Sequence, residues 1–345
     1  MYLRQNTKSV QVRDLKLGGN NNIYVQSMTN TKTKDVFSTI KQIKELTEAG
    51  CEIVRLAILD FEDAYAIKQI KESTSIPLVA DIHFDYKLAI AAINAGVDKI
   101  RLNPGNIKSE KNIREVVELC KEKKVPIRIG VNSGSLPNLM SPTVENMIAA
   151  CKIHVDILEA LDFHDIVISL KSSDPKLMIE VYQEASKIFP YPLHLGVTEA
   201  GPMISGTVKN TLGIGSLLAS GIGNTIRVSL TADPVLEVKV ALEILRSLGL
   251  RNNLPNLISC PTCGRIEYDL FSLVDRVSDY LRKVEKNISI AVMGCRVNGP
   301  GEASHADIGV AGGNKEGIIF RKGKVVKIVK EENLYEELIK EIDKF

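Results

Sequence analysis

Two groups of side chains in this 345-residue sequence have the types and spacing to do chemistry. The first is sulfur. Cys260-Pro-Thr-Cys263 is a CxxC pair in a stretch without periodicity. A third cysteine, Cys295, follows in the small-residue loop Gly294-Cys-Arg-Val-Asn-Gly-Pro-Gly-Glu302. A CxxC pair alone also fits a redox disulfide or half of a zinc site. A third thiol, in a loop whose glycines let backbone N–H groups come close, turns the set toward a metal centre. Three thiolates leave one iron of a [4Fe–4S] cluster in need of another ligand, and Glu302 and His305 stand in the same loop. His305 would equally complete a Cys3His zinc site. Cys51, Cys120 and Cys151 fall inside periodic segments and read as buried small apolar residues.

The second group is a set of cations, each inside a short β-rich run: Arg55, Arg101, Arg128, Lys171 and Arg227. Those runs, at 23–28, 52–57, 77–82, 99–103, 126–131, 165–171, 192–198 and 225–230, predict eight strands. Helical patterns separate them, at 36–49, 62–73, 85–95, 109–124, 143–162, 175–188, 203–220 (broken by glycines) and 234–247. Strict strand–helix alternation implies parallel strands with right-handed crossovers. Eight such units favour a closed (β/α)8 TIM barrel, in the α/β class. Segment 9–19 predicts a hairpin plugging the barrel bottom. The polar, aperiodic stretch 249–256 reads as a linker. It divides a barrel domain, 1–250, from a small α+β module, 257–345. That module predicts a helix at 268–285, strands at 288–293 and 307–311, a hairpin around Lys322-Gly-Lys324 and a terminal helix at 331–343.

Side chains alternate across a strand, so residues two apart share a face. Catalytic side chains of a TIM barrel project from the C-terminal ends of its strands. If Ile100 and Leu102 face the helices, Arg101 and Asn103 point to the barrel axis. The same parity groups Arg128 with Gly130 and Asn132, Arg227 with Ser229, Asp81 with His83, and Gln26 with Met28. Arg55, Lys171 and Glu199 end other strands. Four arginines and one lysine then converge on one cavity, against Asp81 and Glu199 alone. Buried unpaired cations are unfavourable, so the cluster needs anions the protein supplies incompletely. Arginine forks match phosphate geometry. The reading is a small, multiply anionic ligand, most simply a diphosphate. His83 is a candidate general acid or hydrogen-bond donor. Lys171, crowded by cations, also has the setting of a Schiff-base lysine.

Composition narrows the classes. Hydrophobic residues make up 44% and charged residues 25%, a globular balance. A net charge of +2 gives no global basic field for nucleic acid. No apolar run approaches the ~18–20 residues of a membrane span. The first residues lack the apolar core of a signal peptide, which predicts a cytoplasmic location and thiols rather than disulfides.

Cys260-Pro-Thr-Cys-Gly-Arg265 and Gly294-Cys-Arg-Val-Asn-Gly-Pro-Gly-Glu302 closely resemble the two signature segments of the bacterial 4-hydroxy-3-methylbut-2-en-1-yl diphosphate synthases. So do Val25-Gln-Ser-Met-Thr29, Val79-Ala-Asp-Ile-His-Phe84, Lys99-Ile-Arg-Leu-Asn-Pro-Gly-Asn106 and Ile127-Arg-Ile-Gly-Val-Asn-Ser-Gly134. The segments follow the family's order through nearly the whole chain, at the length of its two-domain form. The resemblance implies an iron–sulfur oxidoreductase of the non-mevalonate isoprenoid pathway. Its substrate would be 2-C-methyl-D-erythritol 2,4-cyclodiphosphate. It implies a [4Fe–4S] cluster on Cys260, Cys263, Cys295 and Glu302, and a flavodoxin or ferredoxin as electron donor. Glu199 would donate a proton, and Asp81 and His83 would hold substrate hydroxyls. It further implies a homodimer in which one subunit's cluster module closes the other's barrel. The linker agrees with this. It leaves the last barrel helix near the bottom face and spans at most ~26–29 Å.

Two other classes fit the residues without the resemblance. One is a Schiff-base lyase acting through Lys171 on a phosphorylated substrate, with a structural zinc module. The other is a non-catalytic phosphometabolite sensor.

Overall fold

The computed structural model describes every residue except Phe84, Lys108, residues 137–139, 252–253, Glu285, residues 296–300, Glu302 and Asn314. The chain divides into two compact units, Met1–Leu248 and Gly249–Phe345. No described helix is long and apolar enough to cross a membrane.

The first unit opens with an antiparallel hairpin, β1 (Val10–Val12) and β2 (Leu15–Leu17). Eight parallel strands follow: β3 (Tyr24–Met28), β4 (Ile53–Ala57), β5 (Leu78–Asp81), β6 (Lys99–Arg101), β7 (Ile127–Asn132), β8 (Ile166–Lys171), β9 (His194–Leu195) and β10 (Thr225–Ile226). They hydrogen-bond in the order β8-β7-β6-β5-β4-β3-β10-β9. A parallel bridge between Ile168 and Leu193 joins the two ends, so the sheet closes into the expected TIM barrel. Aspartates start the intervening helices. Asp35, Asp60, Asp85, Asp174 and Asp233 each accept a backbone N–H from their own first turn. Each such cap is worth about 1 kcal/mol.

Strand parity sorts the side chains as the sequence predicts. Val54, Leu56, Leu78, Ala80, Ile100, Ile127, Ile129, Ile166, Ile168 and Leu170 have the outward parity, and all are at most 1% exposed. Inward, the bottom layer is apolar. Tyr24, Ile53, Val79 and Val167 pack against Val10, Val12, Leu15 and Leu17 of the hairpin, which plugs that end. Above this layer the interior turns polar, where most barrels continue with branched apolar residues.

Two details differ from the sequence expectation. β9 and β10 are far shorter than 192–198 and 225–230. A side chain on Gly196 would lie 2.7 Å from the Arg227 carbonyl and 2.8 Å from Lys171 Nζ, so the chain here yields its pleat to the packed cations. Segment 203–220 is not broken by its glycines. The helices Met203–Asn210 and Ser216–Ala219 are joined by a wide π-helical turn, Thr211–Gly215.

The second unit is a five-stranded mixed sheet in the order β11 (Asn256–Ser259), β12 (Ser289–Met293), β13 (Ile308–Gly313), β14 (Glu316–Arg321) and β15 (Lys324–Lys330). The first three are parallel and the last two antiparallel. Helices Leu270–Leu281 and Leu334–Asp343 cover one face through Leu273, Val277, Leu338 and Ile342. Ala303 and Ala306 pack on the other. β11 was not anticipated. Its four residues lie between Pro255 and Pro261 and show no alternation, and Asn256, placed in the linker, begins it.

Candidate functional site

The polar barrel interior gathers side chains from strands far apart in sequence, because neighbouring parallel strands hold them in register. Asp81 stands opposite Ala57 on one side and Arg101 on the other, and Arg101 stands opposite Arg128. Arg55 Nε and Arg101 Nη1 lie 3.7 and 3.6 Å from the Asp81 carboxylate. Arg55 also donates to Met28 Sδ at 3.0 and 2.9 Å. Arg101 Nη2 donates to the Gly130 carbonyl at 2.8 Å. A Cβ at residue 130 would sit 2.7 Å from Arg101 Nε, so glycine makes room for the guanidinium. Asn103 braces the same backbone, donating to the Gly130 carbonyl at 2.9 Å and accepting its N–H at 2.8 Å.

Cations outnumber their partners. Arg128 is 1% exposed, and its Nε and Nη1 have no hydrogen-bond partner among the described residues. Burial, then Arg55 and Arg101, push its pKa well below the arginine range. Lys171, opposite Asn132 on β7, is buried. Burial, then Arg227, Arg55 and Arg128, push its pKa well down, with Glu237 pulling the other way. Arg227 reaches Glu237 at 3.5 Å, and burial with Arg55 nearby lowers its pKa to about 10. Ser229 is half-buried, and its carbonyl accepts from Asn210 at 3.1 Å.

The acid–base candidates fall in different settings. Burial works against the charge of Asp81, but Arg55, Arg101 and Arg128 outweigh it and hold the carboxyl below its usual range. His83 is half-exposed, with Nδ1 3.1 Å from Arg101 Nη1. A guanidinium only donates, so Nδ1 accepts and the neutral ring carries its proton on Nε2. Burial lowers its pKa, with Asp81 opposing and Arg101 and Arg55 assisting. Glu199 is exposed, and its φ of 52° places it in the left-handed region. That conformation is strained for a residue with a side chain and is found at functional positions.

Four participants were not assigned from sequence. Lys99 shares the parity of Arg101, and His194 the parity of Gly196. Gln26 shares that of Met28 but received no role. All three are at most 1% exposed and keep unpartnered polar atoms inside the barrel. Glu237 comes from the first turn of helix Pro234–Ser247, where strand parity gives no signal. It takes the place expected of Glu199 as the second carboxylate among the cations.

The thiols meet for a topological reason. β11 and β12 are adjacent and parallel, with Ser259 opposite Val292, so the residues after both strands emerge at one end of the sheet. Cys260, Cys263 and Cys295 are free thiols that line one cavity of about 490 Å³ together with Met293 and Gly294. The Gly294 N–H donates to Cys260 Sγ at 3.2 Å, the kind of contact that tunes a metal-bound thiolate. Among the described residues no three His, Cys, Asp or Glu side chains surround a single-ion position, and His305 is exposed. Three thiols around one cavity are a soft donor set of the kind that takes zinc or an iron–sulfur group. Glu302, the expected fourth ligand, lies outside the described residues. Cys51, Cys120 and Cys151 are buried elsewhere, and burial raises all three thiols, Cys51 to about 12.

Comparison with known proteins places this geometry. Residues 7–242 match the GcpE TIM-barrel domain, and residues 256–344 match the GcpE protein C-terminal domain. A 4-hydroxy-3-methylbut-2-en-1-yl diphosphate synthase (flavodoxin) of Geobacillus thermodenitrificans is 57% identical over 346 residues, covering 99% of this chain and 92% of that protein. The Bacillus subtilis protein of the same name is 55% identical over 345 residues, with 99% and 92% covered. Among solved structures, a Xanthomonas albilineans dihydropteroate synthase aligns with a TM-score of 0.52 at 13% identity, covering 70% of this chain and 98% of that one. At that identity it shows the barrel fold alone. With both domains matched along nearly its whole length, the chain belongs to the GcpE family.

Proposed function

We propose that the chain reduces 2-C-methyl-D-erythritol 2,4-cyclodiphosphate to 4-hydroxy-3-methylbut-2-en-1-yl diphosphate, as an iron–sulfur oxidoreductase of the non-mevalonate isoprenoid pathway in the cytoplasm. Two electrons and two protons enter. One ring C–O bond breaks, one hydroxyl leaves as water, and a C=C bond forms. The observation that carries the reading is the surplus of buried cations inside the barrel. Among the described residues, Arg55, Arg101, Arg128, Lys171 and Arg227 have ion-pair partners only in Asp81 and Glu237. A diphosphate supplies the missing charge and matches the arginine forks.

Each residue then has a task. Arg101, Arg128, Lys171 and Arg227 hold the diphosphate, with Asn132 and Ser229 at its edge. Arg55 and Asp81 fix one another and Arg101. Asn103 locks the Gly130 backbone against which Arg101 rests. His83, with its proton on Nε2, donates to a substrate oxygen. Exposed Glu199 delivers a proton to the hydroxyl that leaves as water. Cys260, Cys263, Cys295 and Glu302 would hold a [4Fe–4S] cluster. When bound, that cluster supplies single electrons and a Lewis-acidic iron. The relatives' names point to a flavodoxin as donor, with a ferredoxin as the other candidate. The active unit is a homodimer, one subunit's cluster module serving the other subunit's barrel.

The test is turnover. Anaerobically purified protein given the cyclic diphosphate and reduced flavodoxin should release the linear allylic diphosphate, followed by phosphorus NMR. No product from protein with full iron and sulfide content overturns the assignment.

A further inference from the structure

The barrel interior carries positive charge below the layer that can touch a ligand. Lys99 precedes Arg101 by two residues on β6, so it enters the same interior one layer deeper, opposite Val79. It is 0% exposed, and its Nζ has no hydrogen-bond partner among the described residues. A buried ammonium without a partner is unfavourable, and lysine, unlike arginine, can escape by losing its proton. Arg128 acts on it from β7 and Arg55 from β4, and Lys99 in turn acts on His194 of β9. Most of this set is cationic. Burial, then Arg128 and Arg55, bring the Lys99 pKa down to about 7. His194 is buried and driven well down by burial and by Arg128, Lys171 and Lys99, so it stays neutral and cannot compensate.

We infer that Lys99 is a positioning residue for the anion site: in the empty barrel it loses its charge as pH rises through neutrality, it takes the proton back when a diphosphate binds above it, and it supplies positive charge from beneath without touching the ligand. This rests on the diphosphate reading of the barrel mouth. The sign follows from linkage. A negative ligand raises the pKa of Lys99, so above the empty-barrel value binding takes up a proton. Affinity then falls as pH rises, by up to about tenfold per pH unit for one proton, until the bound-state pKa is reached. Below the empty-barrel value the proton is already present and the dependence fades.

The experiment is calorimetric titration of the anaerobic full-length protein with inorganic pyrophosphate and with the cyclic diphosphate. Two buffers of different ionisation enthalpy, at pH 6 and pH 8, count the protons exchanged. Wild type should take up more protons than Lys99→Met at pH 8, by close to one, and equal numbers at pH 6. The difference between the two proteins removes protons exchanged by the anion itself. The variant should also lose the corresponding slope of affinity against pH. Lys99→Gln repeats the comparison if the methionine variant does not fold. Equal uptake by wild type and variant at pH 8 overturns the role of Lys99 and leaves the diphosphate site standing. Failure of both anions to bind overturns the site and this inference together.

Discussion

Arg128→Met separates binding from folding. Arg128 is 1% exposed with two unpartnered nitrogens, and Arg55 and Arg101 repel it. Removing an unsatisfied buried donor returns about 1–3 kcal/mol. Methionine keeps the length of the side chain, so the cavity left behind is small. The ligand-free barrel should therefore become more stable by about 1–3 kcal/mol. Binding should move the other way. Truncating one partner of a buried charge pair loses about 2–5 kcal/mol, which is roughly 30-fold to several thousand-fold in affinity. The chain has no tryptophan, so unfolding in urea is followed by far-UV circular dichroism. Two units need not unfold together. The transition to compare is the one that pyrophosphate shifts, since a ligand at 100 times its Kd stabilises its own domain by about 2.7 kcal/mol. A variant less stable than wild type, or one whose transition still shifts as wild type does, would show that Arg128 is a structural residue with a partner of its own.

Anaerobic protein should be brown with about four irons and four sulfides per chain, and serine at Cys260, Cys263 or Cys295 should remove the colour and the metal. A colourless wild type carrying one zinc would end the cluster assignment. Mixing Arg128→Ala chains with Cys295→Ser chains, each nearly inactive alone, should restore activity in the heterodimer. Continued inactivity of a confirmed heterodimer would mean each chain serves itself. Leu17→Ala, at a 0% exposed position in the hairpin plug, should destabilise the barrel by about 2–5 kcal/mol, and a loss under 1 kcal/mol would mean the plug adds little.

What the sequence makes legible here is whatever obeys a period. Eight strand–helix units and their outward apolar faces follow from alternation, and the same alternation turns Arg101 and Arg128 inward. Lys99 has the identical parity, yet it opens its strand, where attention to strand ends does not reach. His194 was hidden by the length expected of its strand, which made Glu199 the residue of interest. Glu237 belongs to a helix and meets Arg227 only because the last barrel helix folds back against β3, where Ser27 also donates to it. The conformation of Glu199 follows no period at all, and only the backbone shows it. In the second unit the three cysteines are legible as chemistry. Their meeting point depends on β11, four residues without a pattern, pairing with a strand about 30 residues further along the chain.

The polar interior has an energetic consequence for the whole barrel. Branched apolar side chains fill the usual TIM barrel through all its layers. Here only the layer around Tyr24, Ile53, Val79 and Val167 does so, together with the hairpin beneath it. The rest of the described interior holds Gln26, Lys99, Arg128 and His194, all with unsatisfied buried atoms. Burying such groups opposes folding. The opposition is met by the strands' outward faces, which are apolar and closed to water, and by the plug. The empty barrel therefore stores unfavourable electrostatic energy, and an anionic ligand releases it on binding. Part of the affinity arises from that release and not from new contacts alone. Substitutions that make the empty barrel more comfortable should accordingly weaken binding, and stability and affinity should trade against each other along this one cluster of residues.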